Sequence, residues 1–324
     1  MLAAMHHNRP TLELFVSLDS PPSPLRVISK QIKEEFHMRK LSPFVLGLLI
    51  AVAGSALAAA QDSPSDFKVL QVTREYAKPY KNGAAHDKTE SAFLQAMTKA
   101  KFPAYYVGLT SMSGKSRSLF LTIYDSFAEW EKDNKLVDKN PTLGAELERA
   151  SVADGELLES VDSLVYTFDK DLSYKPRSDL IGARYMEIYV FHVKSGHRGE
   201  WEKLTKIIKD AHDKAGTSAH WAMYEIAYGA QGGEFVALSA DKSMADIDTG
   251  FAEDKKFMDA LGDNVKQFRE LFASSVDYSR SELFSINPKQ SYVPDAWIKA
   301  DGDFWKPKAA AAPAAKPAAA EKKP

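Results

Sequence analysis

Hydrophobic and polar positions between 185 and 216 follow two successive periods. From 185 to 193 aromatic and β-branched residues predominate, which favours a β-strand. Residues 194–197 contain Gly196 and predict a tight turn. Apolar residues then recur at helical spacing, which predicts an amphipathic helix that ends at Gly216. The apolar stripe of this helix consists of Trp201, Leu204, Ile208, Ala211 and Ala215.

This strand, turn and helix begin a unit that occurs twice in the chain. Residues 105–125 align without a gap with residues 221–241 at an offset of 116, and both segments predict a β-hairpin. Residues 160–162 likewise match residues 275–277, each ahead of a closing strand. The predicted order is β-α-β-β-α-β in each unit. The predicted fold class is therefore α+β, with two tandem ferredoxin-like repeats that form one pseudo-dimeric α+β barrel.

Element boundaries follow from the same pattern. The first repeat is predicted to span 66–171 and the second 183–287, with a loop at 172–182 between them. A helix is predicted near Asp87, because Glu90 three residues later resembles a capping box. In the second repeat a long helix is predicted from its apolar stripe. That stripe consists of Phe257, Leu261, Val265, Phe268 and Phe272.

The strand at 185–193 has two apolar faces, and both are expected to be covered. One face carries Met186, Ile188 and Val190, and the other carries Glu187, Tyr189 and Phe191. A ferredoxin-like unit covers only one face of its sheet with helices. We expect the face with Tyr189 and Phe191 to pack against the sheet of the other repeat. A slip of one residue would reverse this assignment.

The two-repeat pattern resembles the dimeric α+β barrel superfamily, in which two ferredoxin-like units form a barrel. The segments VKSGH (193–197) and EWEKL (200–204) are similar to the strand–turn–helix opening of NIPSNAP-type and antibiotic-monooxygenase-type members. Ser195 stands where that motif often has a proline, and the first repeat has KPYKNGAAH instead. The resemblance covers residues 68–286 and implies that small molecules or haem bind between sheet and helices or inside the barrel.

Residues 38–60 have the three parts of a secretory signal peptide: a basic start, an apolar run and a small-residue cleavage site near 58–60. A retained membrane anchor is the alternative, although the apolar run is shorter than the ~20 residues that a spanning helix needs. Residues 1–37 lack periodicity and are expected to be disordered or untranslated, with Met38 as the true start. We therefore expect an exported bacterial protein, periplasmic or secreted.

The amino-acid composition excludes cysteine-based chemistry and gives the charge of the folded body. The chain has no cysteine, which excludes disulfides, thiolate metal ligands and a cysteine nucleophile. Its 42 basic and 44 acidic residues nearly balance, but many of the basic ones lie in residues 1–60 and 306–324. The globular body is therefore acidic, which argues against nucleic acid as a partner.

The C-terminal segment divides into an aromatic extension and a low-complexity tail. Residues 288–305 contain Trp297, Phe304 and Trp305, which are expected to dock on the body. Residues 306–324 are rich in Ala, Pro and Lys and are expected to be disordered. The tail either contacts an anionic envelope surface or is solvated without a partner. Assembly into a homo-oligomer is compatible with the sequence.

No sequence motif identifies a catalytic or metal centre. There is no HExxH, no histidine cluster at zinc spacing, no paired carboxylate motif, no GxSxG and no phosphate-binding glycine loop before a helix. We therefore predict no metal site. His86 and His197 stand at helix starts, where a histidine bonded to the backbone is expected.

Candidate ligand-binding residues are the acidic, basic and aromatic groups on or beside strands of the second repeat. They are Arg184, Glu187, Tyr189, His192, His220, Trp221, Tyr224 and Glu225. A buried Glu187 would have a raised pKa and could act as a base. The alternative is that the aromatic residues are core packing and that Glu187 pairs with an arginine.

The expected function is binding of a small, partly apolar molecule, with no catalysis and no cofactor assigned. One alternative is an enzyme, either cofactor-free and monooxygenase-like or isomerase-like, or dependent on haem. Haem would need an axial histidine, for which His212 and His220 are the candidates. The other alternative is a structural module associated with the cell envelope.

Overall fold

The structure is a computed structural model that describes residues 68–177 and 180–306. The predictions for 1–37, for the signal peptide at 38–60 and for the tail beyond Lys306 lie outside these residues. None of the described helices is long and apolar enough to cross a membrane.

Each repeat has the predicted β-α-β-β-α-β order, with an additional helix. The first repeat contains β1 (Val69–Ala77), α1 (Ala84–Ala100), β2 (Tyr106–Ser111), β3 (Arg117–Tyr124), α2 (Phe127–Asp138), α3 (Pro141–Gly155) and β4 (Leu158–Tyr174). The second contains β5 (Tyr185–Val193), α4 (Arg198–Ala215), β6 (Trp221–Tyr228), β7 (Glu234–Asp241), α5 (Met244–Leu261), α6 (Val265–Ser275) and β8 (Val276–Ile286). Two short helices follow, α7 (Asp295–Ala300) and α8 (Gly302–Trp305).

The eight strands form a closed barrel in the order β1-β3-β2-β8-β5-β7-β6-β4. Two antiparallel seams join the repeats: β2 pairs with β8, and β4 pairs with β6. Closure leaves no free sheet edge, which removes the unpaired backbone groups that each repeat would expose alone. The predicted fold class, two tandem ferredoxin-like repeats in one α+β barrel, is confirmed.

Alternate residues of each strand fill the barrel interior, and the remaining ones lie under the helices. Met186, Ile188 and Val190 belong to the interior core. Tyr189 and Phe191 instead pack with Trp201 in the core beneath the helices of the second repeat. The predicted orientation of this strand is therefore wrong. Because both faces are apolar, hydrophobicity alone could not decide which face pointed inward.

The gapless alignment of the two hairpins is also wrong in register. Leu119 and Leu121 of β3 point into the barrel, whereas Val236 and Leu238 of β7 do so in the second repeat. Because the offset of 116 is even, the alignment would match the odd-numbered interior residues of β3 with odd-numbered residues of β7. Those residues of β7 lie on the opposite face of the sheet, under the helices. Val107 pairs with Leu121 in the first hairpin, and Ala222 pairs with Leu238 in the second. The paired residues are farther apart in the sequence in the second hairpin, which is therefore longer.

Two helix boundaries differ from the predictions. The helix α1 begins at Ala84 behind Gly83, with no side-chain cap, so Asp87 and Glu90 do not form a capping box. In the second repeat the predicted long helix is interrupted at Gly262, whose φ of 52° is left-handed. The stripe from Phe257 to Phe272 is therefore divided between α5 and α6.

The aromatic extension packs against one end of the barrel core. Trp305 is buried, and Trp297 and Phe304 pack against the same core. The Trp305 indole N–H donates to the Ile181 carbonyl at 2.9 Å.

Gly108 of β2 lies against the backbone of the segment that follows β8, and a substitution at Gly108 tests this close approach. A Cβ on Gly108 would lie 2.3 Å from the Gln290 carbonyl oxygen, which is backbone and cannot rotate away. We expect Gly108→Ala to lower the free energy of unfolding by about 2 kcal/mol or more, as overpacking does. The measurement is urea unfolding followed by circular dichroism.

Gly144 of α3 is the matched control, because a Cβ there meets nothing within 4 Å. Gly144→Ala should raise the free energy of unfolding by about 0.5–1 kcal/mol through helix propensity. Equal effects of the two substitutions would contradict the close approach at Gly108.

Candidate functional site

A cavity of about 320 Å³ lies between the outer sheet face of the second repeat and helices α4 and α5. We call it the outer cavity. The strands contribute Glu187, Tyr189, Phe191, Trp221, Met223, Ala237 and Ser239 to its lining. The helices contribute Trp201, Thr205, Ile208, His212, Ile247, Gly250, Phe251 and Asp254. The cavity is therefore largely apolar with a few polar groups, as small-molecule sites usually are.

Polar groups on β5, on β7 and just before β6 form one side of the outer cavity. The Tyr189 hydroxyl donates to Oε2 of Glu187 at 2.8 Å. Burial and the neighbouring Glu187 carboxylate raise the pKa of Tyr189, so its hydroxyl stays protonated. The His220 Nε2 atom lies 3.2 Å from the Ser239 hydroxyl oxygen. The cavity thus presents a carboxylate, two hydroxyls and an imidazole beside its apolar walls.

Two residues that line the outer cavity have a buried polar atom without a hydrogen-bond partner in the described part of the chain. The atoms are Nε1 of Trp201 and Oγ1 of Thr205, and each residue is only 2% exposed. A buried donor without a partner costs on the order of 1–3 kcal/mol. Both residues line the cavity, one helical turn apart on α4.

His212 occupies an aromatic environment at the end of α4. Its ring stacks on Phe257 with centroids 4.5 Å apart, and its Nδ1 lies 2.8 Å from Oγ1 of Thr217. Tyr174 and Trp221 also pack around the ring. Burial lowers the pKa of His212, and the nearby carboxylate of Glu253 offsets part of that decrease.

The structure brings four of the predicted site residues together. Glu187, Tyr189, His220 and Trp221 all line the outer cavity. The carboxylate of Glu187 meets a tyrosine hydroxyl and not the arginine that the alternative interpretation required.

The other four predicted residues lie elsewhere. Arg184 pairs with Asp301 and lies over the Phe304 ring. Glu225 pairs with Arg198. The remaining two, His192 and Tyr224, are also outside the outer cavity: the first stacks on Tyr278, and the second lines a different cavity.

That second cavity, of about 440 Å³, lies at the mouth of the barrel between the repeats. It is larger, but its basic groups are already bonded. The Arg177 guanidinium donates to the Ala240 carbonyl at 2.9 Å. Both ring nitrogens of His220 lie within 3.1 Å of carbonyl oxygens, those of Ser218 and Ala240. Trp201 and Thr205, which each have a buried polar atom without a partner among residues 68–177 and 180–306, line the smaller outer cavity and not this one, so we consider the outer cavity the better ligand site.

The residues of the outer cavity do not fit haem. Both nitrogens of His220 face carbonyl oxygens, and the Nδ1 of His212 is bonded while its ring is stacked. The lining contains the carboxyl groups of Glu187 and Asp254 but no Lys or Arg to bind propionates. Neither predicted axial histidine is therefore placed to hold the iron.

The first repeat has a polar cluster in the corresponding place, between its outer sheet face and its helices. We call it the His86 cluster; it consists of Glu75 of β1, His86 and Glu90 of α1, and Asp154 of α3. The His86 Nε2 atom lies 3.0 Å from a Glu75 oxygen, 3.3 Å from an Asp154 oxygen and 3.7 Å from a Glu90 oxygen. His86 is completely buried, and Glu90 and Asp154 nearly so.

The electrostatics of the His86 cluster are dominated by carboxylates. Burial and the neighbouring carboxylates of Glu75 and Asp154 raise the pKa of Glu90 to about 9. Burial lowers the pKa of His86, but bonds to Asp154 and Glu75 outweigh it and raise the pKa to about 10.

Sequence reasoning missed the His86 cluster because its members come from three elements. His86 was expected to bond to the backbone at a helix start, but its ring nitrogens face side chains. The usable signal was the spacing of His86 and Glu90, which places both on one face of a helix. Nothing in the sequence showed that Glu75 and Asp154 would meet that face.

The lowered pKa of His212 makes a prediction about pH. The unfolded histidine binds a proton near pH 6.5, whereas the folded one resists it, so stability falls as pH drops through that value. Compared with His212→Phe, the wild-type protein should lose up to about 1.4 kcal/mol per pH unit between pH 7 and 5. The measurement is urea unfolding of both proteins at several pH values. Parallel stability curves would show that His212 is not held neutral by its surroundings.

Comparison with known proteins adds a fold-level likeness. No protein-family model and no curated protein matches the sequence. A protein provisionally named a monooxygenase, from Fusobacterium nucleatum subsp. nucleatum, is 12% identical with a TM-score of 0.48, covering 68% of this chain and 92% of that one. An anthrone oxidase-like protein is 12% identical with a TM-score of 0.45, covering 69% and 92%. A variant of chlorite dismutase from Candidatus Nitrospira defluvii is 11% identical with a TM-score of 0.43, covering 72% and 94%. Likeness at this level carries no argument about activity.

Proposed function

We propose that this chain binds a small, uncharged and largely apolar molecule in the outer cavity of the second repeat. The observation that carries the proposal is the pair of buried donors on α4, Trp201 Nε1 and Thr205 Oγ1, which have no partner among residues 68–177 and 180–306. A ligand acceptor atom, such as a hydroxyl or carbonyl oxygen, would satisfy them and recover their desolvation cost.

The residues that line the outer cavity disfavour an anionic ligand and favour a flat one. Two carboxyl groups, Glu187 and Asp254, line the outer cavity, and no Lys or Arg does. An anionic ligand would be repelled, whereas a neutral hydroxyl could donate to Glu187. Trp201, Trp221 and Phe251 provide aromatic surfaces, which favour a flat aromatic ligand.

An enzymatic role, cofactor-free oxygenation or isomerisation, is the alternative proposal. Its support is the placement of Glu187 at the edge of an apolar cavity, where a carboxylate could accept a proton from an acidic ligand carbon or hydroxyl. The Tyr189 hydroxyl would hold that carboxylate in place through Oε2. A relationship to NIPSNAP-type or antibiotic-monooxygenase-type proteins is part of this proposal, supported by residues 193–197 and 200–204.

Export to the periplasm or the exterior is a further part of the proposal, supported by the signal-like residues 38–60. Contact of the basic tail with an anionic envelope surface is supported only by its lysines, so a structural role at the envelope would depend on that tail.

The donor pair gives a direct test of ligand binding. Thr205→Val preserves the shape of the side chain and removes only the hydroxyl. We expect the affinity for 1-naphthol, measured by isothermal titration calorimetry, to fall about fivefold to tenfold, because one neutral hydrogen bond is worth about 1 kcal/mol. Thermal stability without ligand should be unchanged or higher, since the buried hydroxyl has no partner to lose.

Thr249→Val on α5 is the matched control, because the Thr249 hydroxyl is exposed and bonds to its own helix. It should leave naphthol affinity unchanged. Trp201→Phe should weaken binding as Thr205→Val does. The anion 1-naphthoate should bind more weakly than 1-naphthol. Equal affinity of wild type and Thr205→Val, or tighter binding of the anion, would overturn the proposal.

A further inference from the structure

We propose that the His86 cluster of the first repeat binds a divalent first-row metal ion, of the Mn²⁺ or Fe²⁺ kind. This site is separate from the outer cavity of the second repeat and does not depend on the function proposed for it. The proposal rests on the geometry of the four side chains, on an unpartnered buried carboxylate and on a comparison of the two repeats.

The four ligand atoms lie near the distances that a metal ion requires. They are all within 4.8 Å of one another, and the carboxylate oxygens lie 3.0, 3.3 and 3.7 Å from His86 Nε2. Ligands about 2.1 Å from a common ion are about 3.0–3.4 Å from their neighbours in octahedral or tetrahedral geometry. Small side-chain adjustments would therefore complete the coordination shell.

Glu90 provides an independent sign of a missing ligand. The residue is 3% exposed, and its Oε1 has no hydrogen-bond partner among residues 68–177 and 180–306, although that same oxygen lies 3.7 Å from His86 Nε2. A buried carboxylate oxygen without a partner is costly, and more so beside other carboxylates. An ion held among the cluster atoms would contact this oxygen directly.

Charge within the cluster is also unbalanced. Among residues 68–177 and 180–306, the ion-pair partner found for the carboxylates of Glu75, Glu90 and Asp154 is His86 in each case. Three acidic side chains surround one imidazole in a buried place, an arrangement that favours a bound cation. A divalent ion would be balanced by these groups once they ionise.

Contacts on the far side of the His86 ring are those of a metal-bound imidazole. The Nδ1 atom lies 3.2 Å from Oδ1 of Asn82, which can accept its proton, and Ser118 and Gln290 complete a polar network there. A bound ion would replace the Nε2 proton, while Nδ1 would keep its proton, hydrogen-bonded to Asn82. Histidine ligands are commonly oriented in this way, by a hydrogen bond from the other ring nitrogen.

The second repeat shows that the fold does not need polar groups at this place. In the first repeat, His86 contacts Glu75 on β1 and Ser118 on β3. The corresponding contacts in the second repeat join Trp201 to Phe191 on β5 and Phe235 on β7. Glu75 lies directly opposite Ser118 in the pairing of β1 with β3, and Phe191 lies directly opposite Phe235 in the pairing of β5 with β7.

An aromatic core therefore fills the place in one copy that the cluster fills in the other. Thr205 stands four residues after Trp201, as Glu90 stands four residues after His86. Because apolar packing stabilises the same position adequately in the second repeat, the acidic residues of the first are better explained by a ligand than by folding.

The donor set indicates the kind of metal. One imidazole nitrogen and three carboxylates suit Mn²⁺ and Fe²⁺ better than Mg²⁺ or Ca²⁺, which prefer oxygen alone. A small cavity of about 180 Å³ is lined by Glu75 and Glu90 together with Tyr106 and Phe120. Water or a small ligand could reach the ion from that side.

Manganese electron paramagnetic resonance provides the test, because the sharp signal of free Mn²⁺ is lost when the ion is bound. The purified full-length protein is stripped with a chelator and titrated with Mn²⁺. We expect one ion per chain, and displacement of that ion by Fe²⁺. Glu90→Gln and Asp154→Asn, on different helices, should each weaken binding at least tenfold. Glu148→Gln, an exposed acid on the same helix as Asp154, is the matched control and should bind as wild type does.

A second measurement separates metal loss from misfolding. Glu90→Gln keeps the size of a side chain whose Oε1 has no hydrogen-bond partner among the described residues, so without metal it should melt at about the same temperature as wild type or higher. Mn²⁺ should raise the melting temperature of wild type and of Glu148→Gln but not of Glu90→Gln. The inference is overturned if folded wild type leaves the free Mn²⁺ signal unchanged, or if Glu90→Gln binds Mn²⁺ as tightly as wild type.

Discussion

Pairing across the two seams, β2 with β8 and β4 with β6, is the constraint on which the rest of the structure depends. It closes the sheet and commits one face of every strand to a shared apolar interior. The opposite faces must then be covered by helices, one set in each repeat. Closure therefore creates two equivalent places between sheet and helices, and these places hold the candidate sites.

The two places have different chemistry although their backbones correspond. In the second repeat Phe191, Trp201 and Phe235 form aromatic packing beside an apolar cavity. In the first, Glu75, His86 and Ser118 form polar contacts at the same relative positions. A duplicated fold allows such a difference, because each copy can keep its share of the common interior while its outer face changes.

The repeat and the barrel could be predicted from the sequence because periodicity, turn residues and the duplicated order all agree. The orientation of β5 could not, since Ile188 and Tyr189 stand on opposite faces that are both apolar. The outer cavity is partly predictable: Glu187 and His220 stand out as polar groups near strands, whereas Trp201 belongs to an ordinary helix stripe and nothing in the sequence marks Thr205. The His86 cluster could not be predicted, because it depends on the meeting of β1, α1 and α3 in space.

The central claim is that ligand binding occurs on the outer sheet face, beneath the helices, and not inside the barrel. Methyl-resolved NMR of isoleucine-labelled protein with 1-naphthol tests it most directly. Ile208 and Ile247 line the outer cavity, whereas Ile188 and Ile226 belong to the barrel interior. The account predicts shifts of the Ile208 and Ile247 methyl signals on binding. Shifts confined to Ile188 and Ile226 would contradict it.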